Sequence, residues 1–103
     1  MEQTLLKVKN LEKFVKEHGE DVMIAQTISK MMAYKVQRYA KEIESLDGEL
    51  EKFEQTYKKE TRVFFEEFKA GRLGDEMDFI EWSSLYQMRR RLFDKKTELE
   101  SMI

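Results

Sequence analysis

From Met32 onward the apolar residues Met32, Val36, Tyr39, Ile43, Leu46, Leu50, Phe53 and Tyr57 recur at steps that alternate four and three. That alternation is the a/d rhythm of a helix whose one stripe seeks another helix. A half-buried strand would instead alternate every second residue. The rhythm passes through Asp47-Gly48 without a slip. Asp-Gly is a common turn pair, but a loop there would shift the phase, and Leu46 and Leu50 keep it. The spacing therefore predicts a continuous helix across Gly48.

Composition points the same way. The chain of 103 residues has no proline, four glycines and 39% charged residues, which suits long helices with charged outer faces. Hydrophobic residues still reach 41%, too many for a simply disordered chain. The length predicts one helical domain over 1–103, with a modest core. Without cysteine there is neither a disulfide framework nor a thiolate zinc site. The opening "MEQTLLKVKNLEKF" has no signal-peptide apolar region. No run approaches the ~20 apolar residues of a membrane span.

Three helices are expected. The first covers about 4–17, where Leu5, Val8, Leu11, Phe14 and Val15 form a stripe. His18-Gly19 ends it, with Gly19 suited to a left-handed C′ position, and Asp21 caps the next helix. The second runs 22–69, its stripe widening at Phe64, Phe65 and Phe68. Gly71 stops it, and Arg72–Met77 connect it to the last helix, 79–101, with Leu73 pointing inward. Asp78 serves as N-cap and Glu81 as the N3 carboxylate of a capping box. The last helix carries Trp82, Leu85, Met88 or Arg89, Leu92 and Leu99 on one side, broadened by Ile80, Tyr86 and Phe93.

These lengths predict an all-α, coiled-coil-like antiparallel hairpin that dimerises. The second helix is about 70 Å long and the last about 35 Å. Folded back, the last helix covers roughly Glu49 to Ala70. The seam Met32, Val36, Tyr39, Ile43 and Leu46 is then left for the short first helix and for a second copy of the chain or a different protein.

Little in the sequence points to chemistry. His18 is the sole histidine, at a helix end where a cation suits the dipole, and no bundle-type metal pairing accompanies it. There is no Walker A loop, Rossmann fingerprint or nucleophile elbow. Asp75 and Asp78 have the residue type for acid–base work, but capping explains them more simply. No catalytic, cofactor or metal site is expected, and the chain is not read as an enzyme. Lys30, Lys35, Arg38 and Lys41 form one basic patch; Arg89–Arg91 with Lys95-Lys96 form another. Interleaved acids and a net charge of -2 argue against a nucleic-acid footprint.

The block "FFEEFKAGRLGDEMDFIEWSSLYQMRRRLFDKKTEL" resembles small helical prokaryotic antitoxins of toxin–antitoxin pairs. The shared pattern is an aromatic-rich helix end, then G-x-L-G-D, a short acidic gap and D-x-x-E-W. Here it falls on Gly71, Leu73, Gly74, Asp75, Asp78, Glu81 and Trp82, within about the last third of the chain. The resemblance implies a cytoplasmic, non-catalytic protein that neutralises a partner, such as a small basic toxin, through a helical surface and the Gly71–Trp82 turn. Leu73, Asp75, Asp78, Glu81, Trp82 and Tyr86 are the expected contact residues. Trp82 also suits a core anchor, and core packing is the stronger of its two readings. The rival functions are a self-assembling coiled-coil adaptor and a DNA-binding regulator.

Overall fold

The computed structural model describes residues 2–103. Among these the chain is all-helical: α1 is Glu2–His18, α2 Val22–Tyr57, α3 Thr61–Lys69 and α4 Met77–Glu100. The first joint follows its local chemistry. Gly19 adopts φ +89° and donates its N–H to the Val15 carbonyl at 2.8 Å. The Asp21 carboxylate accepts from the Ile24 N–H at 3.0 Å, satisfying one of the four orphan donors of a helix start. α2 then runs without interruption through Asp47-Gly48.

The single helix expected over 22–69 is instead two. Lys58 takes the left-handed conformation, φ 54° and ψ 46°. The N–H groups of Lys58 and Lys59 both turn back to the Glu54 carbonyl. This is a glycine-type helix stop built on a lysine, at a cost of about 1–2 kcal/mol. Local bonds offset the cost. The Glu54 carboxylate accepts from the Thr61 N–H at 2.8 Å, Phe64 N–H reaches the Glu60 carbonyl at 2.9 Å, and Lys59 pairs with Glu67 at 3.0 Å. The larger return is packing, because the break turns α3 and α4 back on α2, where Trp82 meets Phe53 and Tyr57.

That break also moves the register of α4. Tyr57 meets Asp78, Phe53 stacks on Trp82, and Asp47 meets Arg89. Farther on, Tyr39 lines a groove with Leu99 and Met102. Residue numbers fall along α2 as they rise along α4, so the two run antiparallel. α4 therefore covers α2 from about Tyr39 to Tyr57, not the stretch Glu49–Ala70 expected for one unbroken helix. Ile43, expected in an open seam, is buried inside the single chain.

α4 begins at Met77, and Glu76 occupies the cap position with no side-chain bond. Its carbonyl accepts from the Phe79 and Ile80 N–H groups at 3.0 Å each. Asp78 is thus not the N-cap; it lies in the first turn of α4, where a carboxylate still suits the dipole. At the other end of this joint Gly71 ends α3 with φ +76°.

The molecule is a rod. Its extents are 60 × 23 × 18 Å and its radius of gyration is 19.7 Å. A compact domain of this length would have a radius near ~13 Å. The difference arises because the aromatic core sits at one end, where α2, α3 and α4 meet, while α1 lies beside the other end of α2.

Candidate partner-binding surfaces

The core fixes what the turn residues can do. Trp82 and Phe64 are both 0% exposed. Their rings stack with centroids 3.8 Å apart and planes 4° from parallel. Phe53 and Tyr57 stack on the same indole from α2, at 5.5 and 5.7 Å. The indole N–H donates to the Thr61 hydroxyl at 3.0 Å, so the buried ring keeps its polar handle satisfied. Tyr86 is half-buried with its ring edge-on to Phe65 at 5.0 Å, and Leu73 is half-buried against the same cluster.

The residues expected to contact a partner therefore divide. Leu73, Trp82 and Tyr86 belong to the aromatic core. Asp75, Asp78 and Glu81 stay exposed and, with Glu76, make an acidic tip. Asp78 is also used inside the chain, since its carboxylate accepts from the Tyr57 hydroxyl at 2.5 Å. That bond, with partial burial and the negative charges of Asp78 and Glu76, raises the Tyr57 phenol above its ordinary 10.0. Thr61 was not among the residues singled out from sequence. Its signal was a hydroxyl in helical phase between Tyr57 and Phe64, near an aromatic cluster containing a tryptophan that needs an acceptor.

Four of the nine residues in the two basic patches are engaged within the chain. Arg89 donates to Asp47 through Nε at 2.5 Å and Nη2 at 3.4 Å. The Arg90 guanidinium lies over both Phe65 and Tyr86, at 5.8 and 5.7 Å. Lys96 pairs with Glu100 at 3.0 Å, and Lys35 sits 4.9 Å over the Tyr39 ring.

A run of exposed apolar residues lies at the opposite end. α1 has no buried residue. Leu11 and Val15 are half-buried and share a groove with Ile28, but Leu5, Leu6, Val8 and Phe14 are 50–58% exposed. Val22 and Met23, in the first turn of α2, are 72% and 70% exposed, and Met31 and Tyr34 follow at 62%. Between α1 and α2 runs an open groove of about 380 Å³ whose wall is formed by Val8, Leu11, Val15 and Ile28, edged by Glu12 and Lys16. Ion pairs within α1, Glu12–Lys16 at 3.1 Å and Lys13–Glu17 at 3.9 Å, are fully at the surface and hold little energy. A helix of 17 residues with so little buried surface is marginal on its own. We refer to α1 and the start of α2 as the arm.

Among the described residues no cluster of His, Asp and Glu could hold a metal ion, and no helix is long and apolar enough to cross a membrane. No protein-family model, curated protein or solved structure matches this chain. What the geometry defines is a class: an all-helical, rod-shaped protein with an aromatic core at one end and an apolar arm at the other.

Proposed function

We propose that this protein is a non-catalytic protein-binding module of antitoxin type, working in the cytoplasm. One observation carries the reading: the arm presents its apolar side chains to solvent while α1 buries none of them. Exposed apolar area of this kind marks an interaction surface. Its methionines, Met23 and Met31, suit an adaptable contact. The acidic tip at Asp75, Asp78 and Glu81 supplies the charge that would steer a small basic toxin. Because Trp82 is sealed in the core, it supports the tip from behind instead of touching the partner. In the same reading α2 and α4 form an antiparallel coiled-coil hairpin. A homodimer then uses the part of the seam that lies before Tyr39, at Met32 and Val36.

The test is an affinity capture from the native lysate with three full-length baits. These are the wild type, a Leu6→Glu/Phe14→Glu arm variant and an Asp75→Lys/Glu81→Lys tip variant. A single small basic protein held at near-equal stoichiometry by the wild type, and lost from the arm variant, is the expected result. Capture by the arm variant at wild-type level would remove the arm from the interface. Recovery of the bait alone by all three would leave a self-assembling helical module as the better reading.

A further inference from the structure

The joint between α2 and α3, Lys58-Lys59-Glu60, contains neither glycine nor proline. Lysine and glutamate are good helix formers, yet Lys58 is held left-handed, the only non-glycine residue with positive φ among those described. The apolar spacing does not register the break. Phe64 follows Tyr57 by seven residues and Phe68 follows by four more, so both would continue the α2 stripe if the joint were straight. Local sequence and tertiary structure disagree at this joint, which is the condition under which a chain has a second arrangement close in energy.

What α3 does explains how that arrangement is reached. α3, the Gly71 turn and α4 hold one another through Phe64–Trp82, Phe64–Phe79, Phe65–Tyr86 and the Thr61–Trp82 hydrogen bond. This unit then docks on α2 through Phe53 and Tyr57 on Trp82, Tyr57 on Asp78, and Asp47 on Arg89. None of those docking contacts requires that α2 belong to the same chain. Only the bent joint makes them intramolecular.

We propose that Lys58–Glu60 is a domain-swap hinge. When it straightens, residues 22–69 become one helix of about 70 Å, and the α3–α4 unit docks on α2 of a second copy. Every docking contact is kept, now between chains, which is why swapping is a low-cost route to a dimer. The left-handed lysine is released. The Thr61 N–H exchanges the Glu54 carboxylate for the helical carbonyl of Tyr57. Two α2–α3 helices then run antiparallel with their joints side by side. This goes beyond the proposed binding function and does not depend on it, because the arm lies at the far end of α2.

The Asp47–Arg89 pair provides a test that separates a swapped dimer from any other. Asp47→Arg alone and Arg89→Asp alone each place like charges opposite one another within a chain. In a swapped dimer of one with the other, both contacts regain opposite charge. The two variants are unfolded, mixed in equal amounts, refolded together and resolved by native mass spectrometry. Heterodimer well above the statistical half of all dimers is the expected result. Monomers only, or a statistical mixture of dimers, would overturn the proposal. Since the pair is partly exposed and contributes little to stability, each variant should fold.

A second measurement does not depend on that pair. Lys58→Gly relaxes the bent joint and Lys58→Ala favours the straight one. The dimer dissociation constant from sedimentation equilibrium should be at least about tenfold lower for the alanine variant than for the glycine variant, since each dimer has two hinges. Equal constants, or the reverse order, would refute the hinge.

Discussion

Trp82→Ala tests the core most directly. The indole, carried by α4, is 0% exposed and touches both α2 and α3. A buried tryptophan removes on the order of 150–250 Å² from water, equivalent to about 4–6 kcal/mol of apolar burial. Measured truncations of buried Phe or Trp to Ala cost about 3–5 kcal/mol. The near-parallel stack on Phe64 belongs to the class of aromatic pairs worth a further ~0.5–1.5 kcal/mol, and the Thr61 hydroxyl loses its partner. A loss of about 4 kcal/mol is therefore expected, against a total of about 5–15 kcal/mol for a whole domain. Urea unfolding followed by circular dichroism at 222 nm would read it, with the midpoint falling and the slope unchanged. Near a length of 100 residues the melting temperature should drop by ~15 °C or more. A change below about 1 kcal/mol would mean that the indole is not enclosed as described. The same result bears on binding experiments: a loss of partner capture by this variant would report unfolding, not a broken interface.

Three further outcomes are expected. Lys58→Gly should stabilise the chain by about 0.5 kcal/mol, the relief of the left-handed strain less the extra freedom of the unfolded chain, as read from the urea midpoint; destabilisation would show that Lys58 is not left-handed in solution. Arg89→Ala should cost no more than ~1 kcal/mol, and the difference from wild type should shrink in 1 M salt, because the pair with Asp47 is partly exposed. Tyr57 carries a phenol whose acidity is weakened in the fold, first by its hydrogen bond to Asp78. Its stabilising contribution is fully present below the unfolded value near ~10 and is lost as pH rises through the higher folded value. Tyr57→Phe should therefore flatten the alkaline limb of melting temperature against pH, and identical limbs for the two proteins would contradict the Asp78 contact.

Much of the fold was legible wherever local chemistry and tertiary structure agree. Gly19 and Gly71 mark helix ends because both take positive φ, and Asp21 caps α2 with a side chain suited to it. The phase of Leu46 and Leu50 carried the helix correctly through Gly48. The break at Lys58 was not legible, because no residue near it disfavours helix. It is imposed from a distance by the docking of Trp82 on Phe53 and Tyr57 of the same chain, which no local pattern encodes. The register of α4, and with it the burial of Ile43, follows from that one turn. Asp78 departs from the expected cap for a related reason. Its spacing fits a cap, but α4 starts at Met77 and Tyr57 takes the carboxylate instead. Of the candidate contact residues, the charged ones could be placed at the surface from sequence, while Trp82 had two readings that only packing decides.

The placement of the aromatic core at one end has a consequence for how the chain tolerates change. Amide protection should be greatest around Trp82 and fall toward α1, since local opening follows the density of buried contacts. Substitutions in α1 then escape the stability threshold that purges most mutations elsewhere. One end of the rod is held fixed by the requirement to fold. The other is free to drift, so its surface can be rewritten by selection for whatever it touches while the core at Trp82 stays as it is.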